Sequence, residues 1–384
     1  MLSRFFLSAM MVASVAQAYF SGASAQPTFS WETVPLYAHL GDNDGLSEEE
    51  VAFLASNFHF VTLEKMHALD HYPDNESAAR AEAARLKAVN PDLKVLYYWN
   101  FLLDYPGYKA SADRGTEPKY FLHDTQGNLS LKSDKLRRYD VSSPDWQDWW
   151  IEAAAEMLAT DEFDGIFVDA LPQIALKAEL ASDMWGADKA AQIEAAINPA
   201  LHKLRQKIGS DELVIYNGIR SVANGWDHGG LKYLEHTDGV IVEHFDLFQS
   251  TATEQVLQDI QRMIATGEQG KIVILKAFPG FTWLDDSIRD TPHEELYALA
   301  RERIDYPLAA FLIIANEYSY FNYSWGYRAE HGNLDWYPEF DKPLGKPLGP
   351  AKRTGLTFRR EYEHASVILD IDARSGQVRW RGSE

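Results

Sequence analysis

Cysteine is absent from all 384 residues, which excludes disulfides, thiolate metal sites and thiol nucleophiles. Basic residues are scarce. The 36 Lys and Arg against 57 Asp and Glu give a formal net charge of −21, opposite in sign to what nucleic acid or anionic lipid would attract. No apolar stretch reaches the length of a bilayer span. The chain also lacks a G-x-S-x-G elbow, a phosphate-binding Gly loop, a dinucleotide fingerprint and a His-Glu-x-x-His pattern, so no metal and no cofactor are expected. Asp42-Asn43-Asp44-Gly45 opens like a calcium loop without the later bidentate Glu and reads as a solvated turn, while His67 and His71 fall four apart in a loop.

What is present begins with a leader. Arg4, the apolar run Phe5 to Val15 and the small-residue sites Ala16-Gln17-Ala18 or Ala23-Ser24-Ala25 have the order of a secretory signal. Residues 1–25 are therefore read as a signal peptide, which implies a secreted or periplasmic protein with no membrane contact after cleavage. An uncleaved N-terminal anchor is the alternative. The sequence leaves the oligomeric state open.

From residue 34 onward, short runs rich in Val, Ile, Phe and Tyr alternate with stretches of helical period, the pattern of βαβ units and a parallel sheet. Eight runs are expected as strands: Val34 to Gly41, Phe58 to Lys65, Lys94 to Asn100, Phe163 to Ala170, Leu213 to Ile219, Asp238 to Phe245, Lys271 to Pro279, and Phe311 to Glu317. Between them, Ser47 and Ser143 are expected to cap helices, Pro144 to open one, Gly209 and Gly267 to end two, and Pro292 to start a last one through Ala309. That length and count favour a (β/α)8 TIM barrel, in the α/β class, over an open doubly wound sheet. Residues 26–350 are assigned to the barrel, with 318–350 read as loop. Residues 351–384 are read as a short C-terminal β-hairpin appendix turning at Ser375-Gly376.

Two of these strands carry one phrase. Asp164-Gly165-Ile166-Phe167-Val168-Asp169 and Asp238-Gly239-Val240-Ile241-Val242-Glu243 each begin with Asp-Gly and place a carboxylate five residues after that Asp. Side chains alternate along a strand, and alternate barrel strands fill common layers, so the ends of strands four and six should bring Asp169 and Glu243 together at the C-terminal mouth. Paired carboxylates are what glycosidic cleavage needs: one protonates the leaving oxygen, the other attacks the sugar or activates water. Asp169 is read as nucleophile or base and Glu243, with the longer reach, as proton donor. The spacing predicted from strand geometry spans both the retaining and the inverting windows.

Further residues are expected to line the mouth and bind substrate: Tyr37, Glu64, Trp99, Asn217, Lys276, Trp283 and Glu317, with Glu64 and Lys276 alternatively an ion pair. Tyr97, Tyr105, Trp226, Trp325 and Trp336 extend the set of mouth aromatics that could stack on sugar faces, whereas Trp149 and Trp150 are expected to pack inside a helix. The partner implied is a carbohydrate substrate. A carbohydrate-binding barrel without catalysis is the chief alternative, and a hydrolase of another ester bond the second.

At Phe163 to Asp169 and at Tyr216-Asn217-Gly218-Ile219, the sequence resembles glycosyl-hydrolase-like barrel families, most of all hypothetical glycosyl hydrolase family 15, and more distantly the galactosaminidase-type barrels. The likeness runs in element order from about Trp31 to Phe321, its motifs covering strands four to six. It implies acids at the ends of strands four and six, here Asp169 and Glu243. The D-G-x-D-x-D-x-E strand of chitinase-type barrels is not matched, because Phe167 and Leu171 replace its middle Asp and its Glu.

Overall fold

The computed structural model describes residues 26–382 apart from 116, 172–177, 220–227 and 249; the expected leader lies outside the described residues. Eight parallel strands form one sheet: β1 Ala38–Leu40, β2 Phe60–Leu63, β3 Lys94–Asn100, β4 Gly165–Asp169, β5 Leu213–Asn217, β6 Gly239–Val242, β7 Ile272–Ala277 and β8 Ser319–Tyr323. The ring closes between its edges through a parallel bridge from Leu36 to Phe321, with Tyr37 N–H donating to the Phe321 carbonyl at 2.9 Å. The barrel interior is filled by Tyr37, Phe60, Leu96, Tyr98, Phe167, Ile215, Ile241, Ile274 and Tyr320 among others. It is a packed core, as in a closed ring of eight strands.

Helices form where the sequence marks their starts. In α1 (Glu48–Asn57) Ser47 and Glu50 make a reciprocal capping box. In α2 (Asn75–Val89) the Asp74 carboxylate caps Ser77 N–H. Pro144 opens α3 (Pro144–Leu158) behind Ser143, and α4 (Ala187–Ile208) ends at Gly209 with φ +84°. Next come α5 (Thr253–Gly267), α6 (His293–Arg303) and α7 (Asp305–Ile314). Among the described residues, no helix is long and apolar enough to cross a membrane.

One expected strand is wrong. Phe311 to Ile314 is the last turn of α7, and the eighth strand comes later, at Ser319–Tyr323, inside the stretch read as loop. A short unbroken apolar run does not distinguish strand from buried helix. Here the run is apolar on every side because α7 is covered on every side: Leu308 to Ile314 are almost wholly buried, between the barrel and a C-terminal sheet. That sheet is antiparallel, as expected of the appendix, but has four strands: β9 Lys352–Thr354, β10 Thr357–Glu361, β11 Ala365–Asp370 and β12 Ser375–Trp380. Ser375 and Gly376 open β12, and the turn falls before them, since Asp370 pairs with Ser375. The sheet also completes α7, whose last carbonyls accept from buried Arg360 and from the Tyr362 hydroxyl.

The repeated Asp-Gly phrase is a register device used twice. Asp164 N–H donates to Val95 O at 2.9 Å, its carboxylate accepts Val95 N–H at 2.9 Å, and its carbonyl accepts Leu213 N–H at 2.8 Å. Asp238 repeats this with Val214 at 2.9 and 2.7 Å and with Ile272 at 2.9 Å. Each following glycine lies where the next strand's backbone comes close: a Cβ on Gly165 would stand 2.3 Å from Leu213 O, and one on Gly239 2.3 Å from Ile272 O. Gly165 faces Leu213 and Gly239 faces Ile215, two residues further on. A barrel of shear eight accumulates that stagger over two strands, so residues of equal phase on β4 and β6 keep one height.

Candidate active site

Asp169 ends β4 and Glu243 follows β6, both at the mouth, and Asn217 at the end of β5 stands between them. The chain turns sharply after each acid: Ala170 (φ +75°) and His244 (φ +57°) both adopt the left-handed conformation that costs a non-glycine residue strain. The Asn217 amide nitrogen donates to Asp169 Oδ1 at 2.9 Å and to Glu243 Oε2 at 2.7 Å. Those oxygens are therefore no more than about 5.6 Å apart, and the fork of a planar amide places them at about 5 Å.

Asp169 is held by two further donors. The Asn100 carbonyl oxygen accepts Leu102 and Leu103 N–H at 3.0 and 2.6 Å, so its amide nitrogen must face the other way, donating to Tyr98 Oη at 2.9 Å and Asp169 Oδ2 at 3.1 Å. Tyr98, accepting from Asn100, gives its own proton to Asp169 Oδ2. Trp150 in α3 fixes this corner by donating to Asn100 O at 2.9 Å. Glu243 accepts from the Tyr327 hydroxyl, which lies 3.1 Å from His244 Nε2, and His244 Nδ1 lies 3.6 Å from Glu243 Oε2. With 14% of its side chain exposed, Glu243 is reachable from solvent.

Burial and the Glu243 charge push the Asp169 carboxyl above its ordinary range. Burial alone would lift Glu243 too, but the His244 charge, the Tyr327 hydroxyl, His39 and the Asn217 amide outweigh it and hold that carboxyl down at about 2. Around the pair, Glu64 bonds His39 Nε2 at 2.8 Å and Lys65 Nζ at 2.5 Å, and Lys65 lies over the Tyr98 and Tyr105 rings. Glu64 is thus an ion-pair acid, with Lys65 in place of the expected Lys276.

Lys276 is fully buried and donates to Asn322 Oδ1 at 2.8 Å, Ser324 Oγ at 2.6 Å and Gly326 O at 3.1 Å, while lying over the Phe278 and Tyr327 rings. It braces the loop that carries Tyr327. Burial drives its ammonium down to about 7 against the pull of Glu243 and Glu64. The unfolded chain keeps that proton up to the ordinary lysine value near 10.5 and so binds more protons than the fold between about pH 7 and 10.5. This group therefore adds stability as pH rises through that window. Lys276→Met is expected to abolish the increment: the melting-temperature gap between wild type and variant should widen in favour of wild type from pH 7 to pH 10 in thermal scans.

Other expected mouth residues divide. Trp283 stands on the rim, stacked on Phe278 at 6.1 Å and edge-on to Tyr327 at 4.9 Å, and Tyr105 is at the mouth beside Lys65. Tyr37 does not line the site: it is a fully buried interior residue donating to Thr62 Oγ1 at 2.6 Å. Trp99 and Tyr97 alternate with Tyr98 and Asn100 and so face outward, Trp99 donating to Trp150 O at 3.1 Å. Glu317 is displaced to the opposite end of the barrel, because it precedes β8 instead of ending it. Trp325 is buried against Phe281, Trp336 packs on Phe53, and Trp149 and Trp150 pack as expected; Trp226 lies outside the described residues. Among the described residues, no three His, Asp or Glu converge as a metal site. Asp42 instead caps Ala329 N–H at 2.8 Å, and Gly41 N–H donates to Tyr327 O at 2.7 Å, pinning the Tyr327 loop across the mouth.

Tyr327, His244 and Tyr98 were missed by sequence reasoning. Tyr327 becomes visible once the alternation of Ser319 to Tyr323 is taken as the eighth strand, because it then sits four residues past a strand end.

Residues 87–366 match the sequence profile of a family described as hypothetical glycosyl hydrolase family 15. No curated protein matches the chain. Solved structures similar to it include a cycloisomaltooligosaccharide glucanotransferase from Paenibacillus sp. (13% identity, TM-score 0.46, covering 66% of this chain and 40% of that one). An alpha-amylase from Geobacillus thermoleovorans (9%, TM-score 0.48, 88% and 86%) and one from Anoxybacillus (12%, TM-score 0.48, 89% and 87%) are also similar.

Proposed function

We propose, for a chain that belongs to hypothetical glycosyl hydrolase family 15, hydrolysis of a glycosidic bond in an oligo- or polysaccharide with net retention, Asp169 acting as nucleophile and Glu243 as acid and base. One observation carries the reading: a single amide nitrogen, that of Asn217, bonds both carboxylates at the barrel mouth. Acids about 5–5.5 Å apart leave no room for an intervening water and suit double displacement, whereas inversion needs about 6.5–9.5 Å.

In the first step Glu243 gives its proton to the leaving oxygen as the bond from that oxygen to the anomeric carbon breaks, and Asp169 forms an ester to that carbon. Water then attacks the same carbon, Glu243 takes its proton, and the ester breaks to free Asp169.

The role split rests on hydrogen-bond direction. Asp169 receives three donors, and two of them, Tyr98 and Asn100, have their orientation set from behind, which suits a carboxylate that stays ionised. Glu243 has Tyr327, which can reverse: a protonated Glu243 donates to Tyr327 Oη while Tyr327 donates to His244 Nε2. Electrostatics lift the Asp169 carboxyl and hold the Glu243 carboxyl down, against this split, and the depression of Glu243 leans first on the His244 charge. A neutral, accepting His244 removes the largest of those pulls.

Tyr327→Phe deletes a hydroxyl that can serve either form of Glu243 but whose net effect is to hold the carboxyl down, so its pKa rises. The alkaline limb of kcat against pH, where the acid loses its proton, is expected to move up by about one pH unit. An unmoved limb would show that Tyr327 does not act on Glu243. The activity itself is tested on 4-nitrophenyl glycosides of both anomers and on linear oligosaccharides, with NMR of the first-formed anomer; an inverted product would refute double displacement. We further infer export, from the leader-like residues 1–25, to be checked by N-terminal sequencing of the mature protein.

A further inference from the structure

In a chain of net charge −21, cations nevertheless collect on the Asp169 side of the mouth. Lys65, two residues past β2, bonds Glu64 Oε2 at 2.5 Å and lies 4.6 Å from the centre of the Tyr98 ring, whose hydroxyl donates to Asp169. A second lysine, Lys132, comes from the long segment between β3 and α3. That segment folds back as a hairpin, Leu131–Lys132 paired with Leu136–Arg137, tied to the residues just after Asn100: Asp104 N–H donates to Arg137 O at 3.0 Å and Tyr139 N–H to Leu102 O at 2.7 Å. Arg137 also bonds the Asp104 carboxylate. The hairpin turns through Ser133 and Asp134, both with positive φ (52° and 57°), the tight mirror-image turn that suits the twist of paired strands.

Lys132 shares a face of the hairpin with Leu136, which packs on the core, and is itself half-buried. The charges that act on it are those of Asp169, Lys65, Arg138 and Glu243, and burial pushes its ammonium down. Two lysines from separate elements thus face the acid pair, and like charges brought together repel. Neither is needed to hold the acid beside them, because the three donors to Asp169 are Tyr98, Asn100 and Asn217.

For a neutral sugar this placement is adverse. Positive charge develops at the anomeric carbon in the transition state, and in the ester that follows Asp169 has lost its negative charge. Lys65 keeps Glu64 as its partner, while Lys132 then faces a mouth with one anion fewer. A negative group carried by the sugar itself supplies that countercharge, and it is held more tightly as Asp169 gives up its charge, so the interaction favours the transition state over the ground state. Resting on the glycosidase reading above, we propose that the sugar unit that becomes bonded to Asp169 is acidic, with an anionic substituent received by Lys132 and Lys65, and that Lys132 is the residue that selects it.

The test sets acidic against neutral sugars on the full chain. Glucuronides and galacturonides with a 4-nitrophenyl leaving group, in both anomers, are paired with the matching glucosides and galactosides, sulfated glycosides form a third arm, and acidic oligosaccharides are paired with neutral ones. Within the pair that the wild type hydrolyses, kcat/KM for the acidic member is expected to exceed that of its neutral parent by about tenfold or more, the effect of one well-placed charge pair. Lys132→Met should cut that ratio by about tenfold with the melting temperature near that of wild type, whereas Lys132→Arg, which keeps the charge, should retain most of it. The loss should fall on kcat more than on KM, because the anion is gripped hardest once Asp169 is esterified. A preference for the sulfated glycosides over the uronides would identify the anion as a sulfate ester. A wild type that favours the neutral member, or a ratio untouched in folded Lys132→Met, would overturn the acidic-sugar site and leave the glycosidase reading standing. Turnover of no glycoside and no oligosaccharide would overturn that reading, and the site with it.

Discussion

Replacing Asp169 by Asn, or Glu243 by Gln, is expected to lower kcat on an oligosaccharide by about three to five orders of magnitude while leaving the melting temperature near that of wild type. Each change removes a charge or a transferable proton at almost constant volume. The Asn217 amide can still meet the remaining carboxylate, so the mouth keeps its shape. Alanine variants with added azide separate the roles. With Asp169→Ala, azide fills the nucleophile's place and should give a glycosyl azide of configuration opposite to the substrate. With Glu243→Ala, azide should attack the glycosyl ester and give the substrate's own configuration. An aryl glycoside with a good leaving group should also form its ester in Glu243→Gln, because that group leaves without a proton, and should fail to form it in Asp169→Asn. Exchange of these two patterns would exchange the two assignments. Full activity in both variants would remove the acids from the chemistry altogether.

Gly165→Ala and Gly239→Ala are expected to be the most damaging single methyl additions in the barrel. Each Cβ would stand 2.3 Å from a backbone carbonyl oxygen of the next strand, with that residue's own Cβ within 2.6 Å at Gly165 and 2.4 Å at Gly239. A strand in a closed ring has no free edge toward which to retreat. The cost should reach about 3 kcal/mol or more, at the upper end of overpacking effects. Chemical denaturation would report it as a lowered midpoint or as insoluble protein. Gly127→Ala is a fitting control: that glycine is in an open turn with nothing within 4 Å of an added Cβ, and its φ of +84° leaves only local strain. Comparable loss at all three positions would mean that the close approach of neighbouring strands is not what those two glycines serve.

Both predictions descend from a phrase legible in the chain. Asp-Gly followed by a carboxylate five residues on from that Asp marked β4 and β6, and in the structure its Asp and Gly set the strands' height while its last residue reaches the mouth. Strands β3 to β7 were readable because both their faces are covered and they run apolar without interruption. The eighth was misplaced for the same reason: α7, roofed by another sheet, is apolar on all sides and imitates a strand, and the error carried Glu317 to the wrong end of the barrel. Trp99 was lost to a different cause. At a strand end one residue of register decides between mouth and outer layer, and Asn100, not Trp99, has the inward phase. Tyr327 belongs to a loop held by Lys276, 50 residues before it, and by Asp42 and Gly41, nearly 300 residues away, contacts which no local pattern can encode.

The Arg360 and Tyr362 bonds to the end of α7 also bear on when the molecule can finish folding. The barrel's last helix carries a greasy outer face that the strands of the C-terminal sheet cover, and those strands are made after it. Until they emerge, about 50 residues after α7, an intermediate with every stave of the ring already synthesised still exposes the side of Leu308 to Ile314 turned away from the barrel and leaves that helix's terminal carbonyls without their partners. The appendix is thus a clasp on the barrel's last helix.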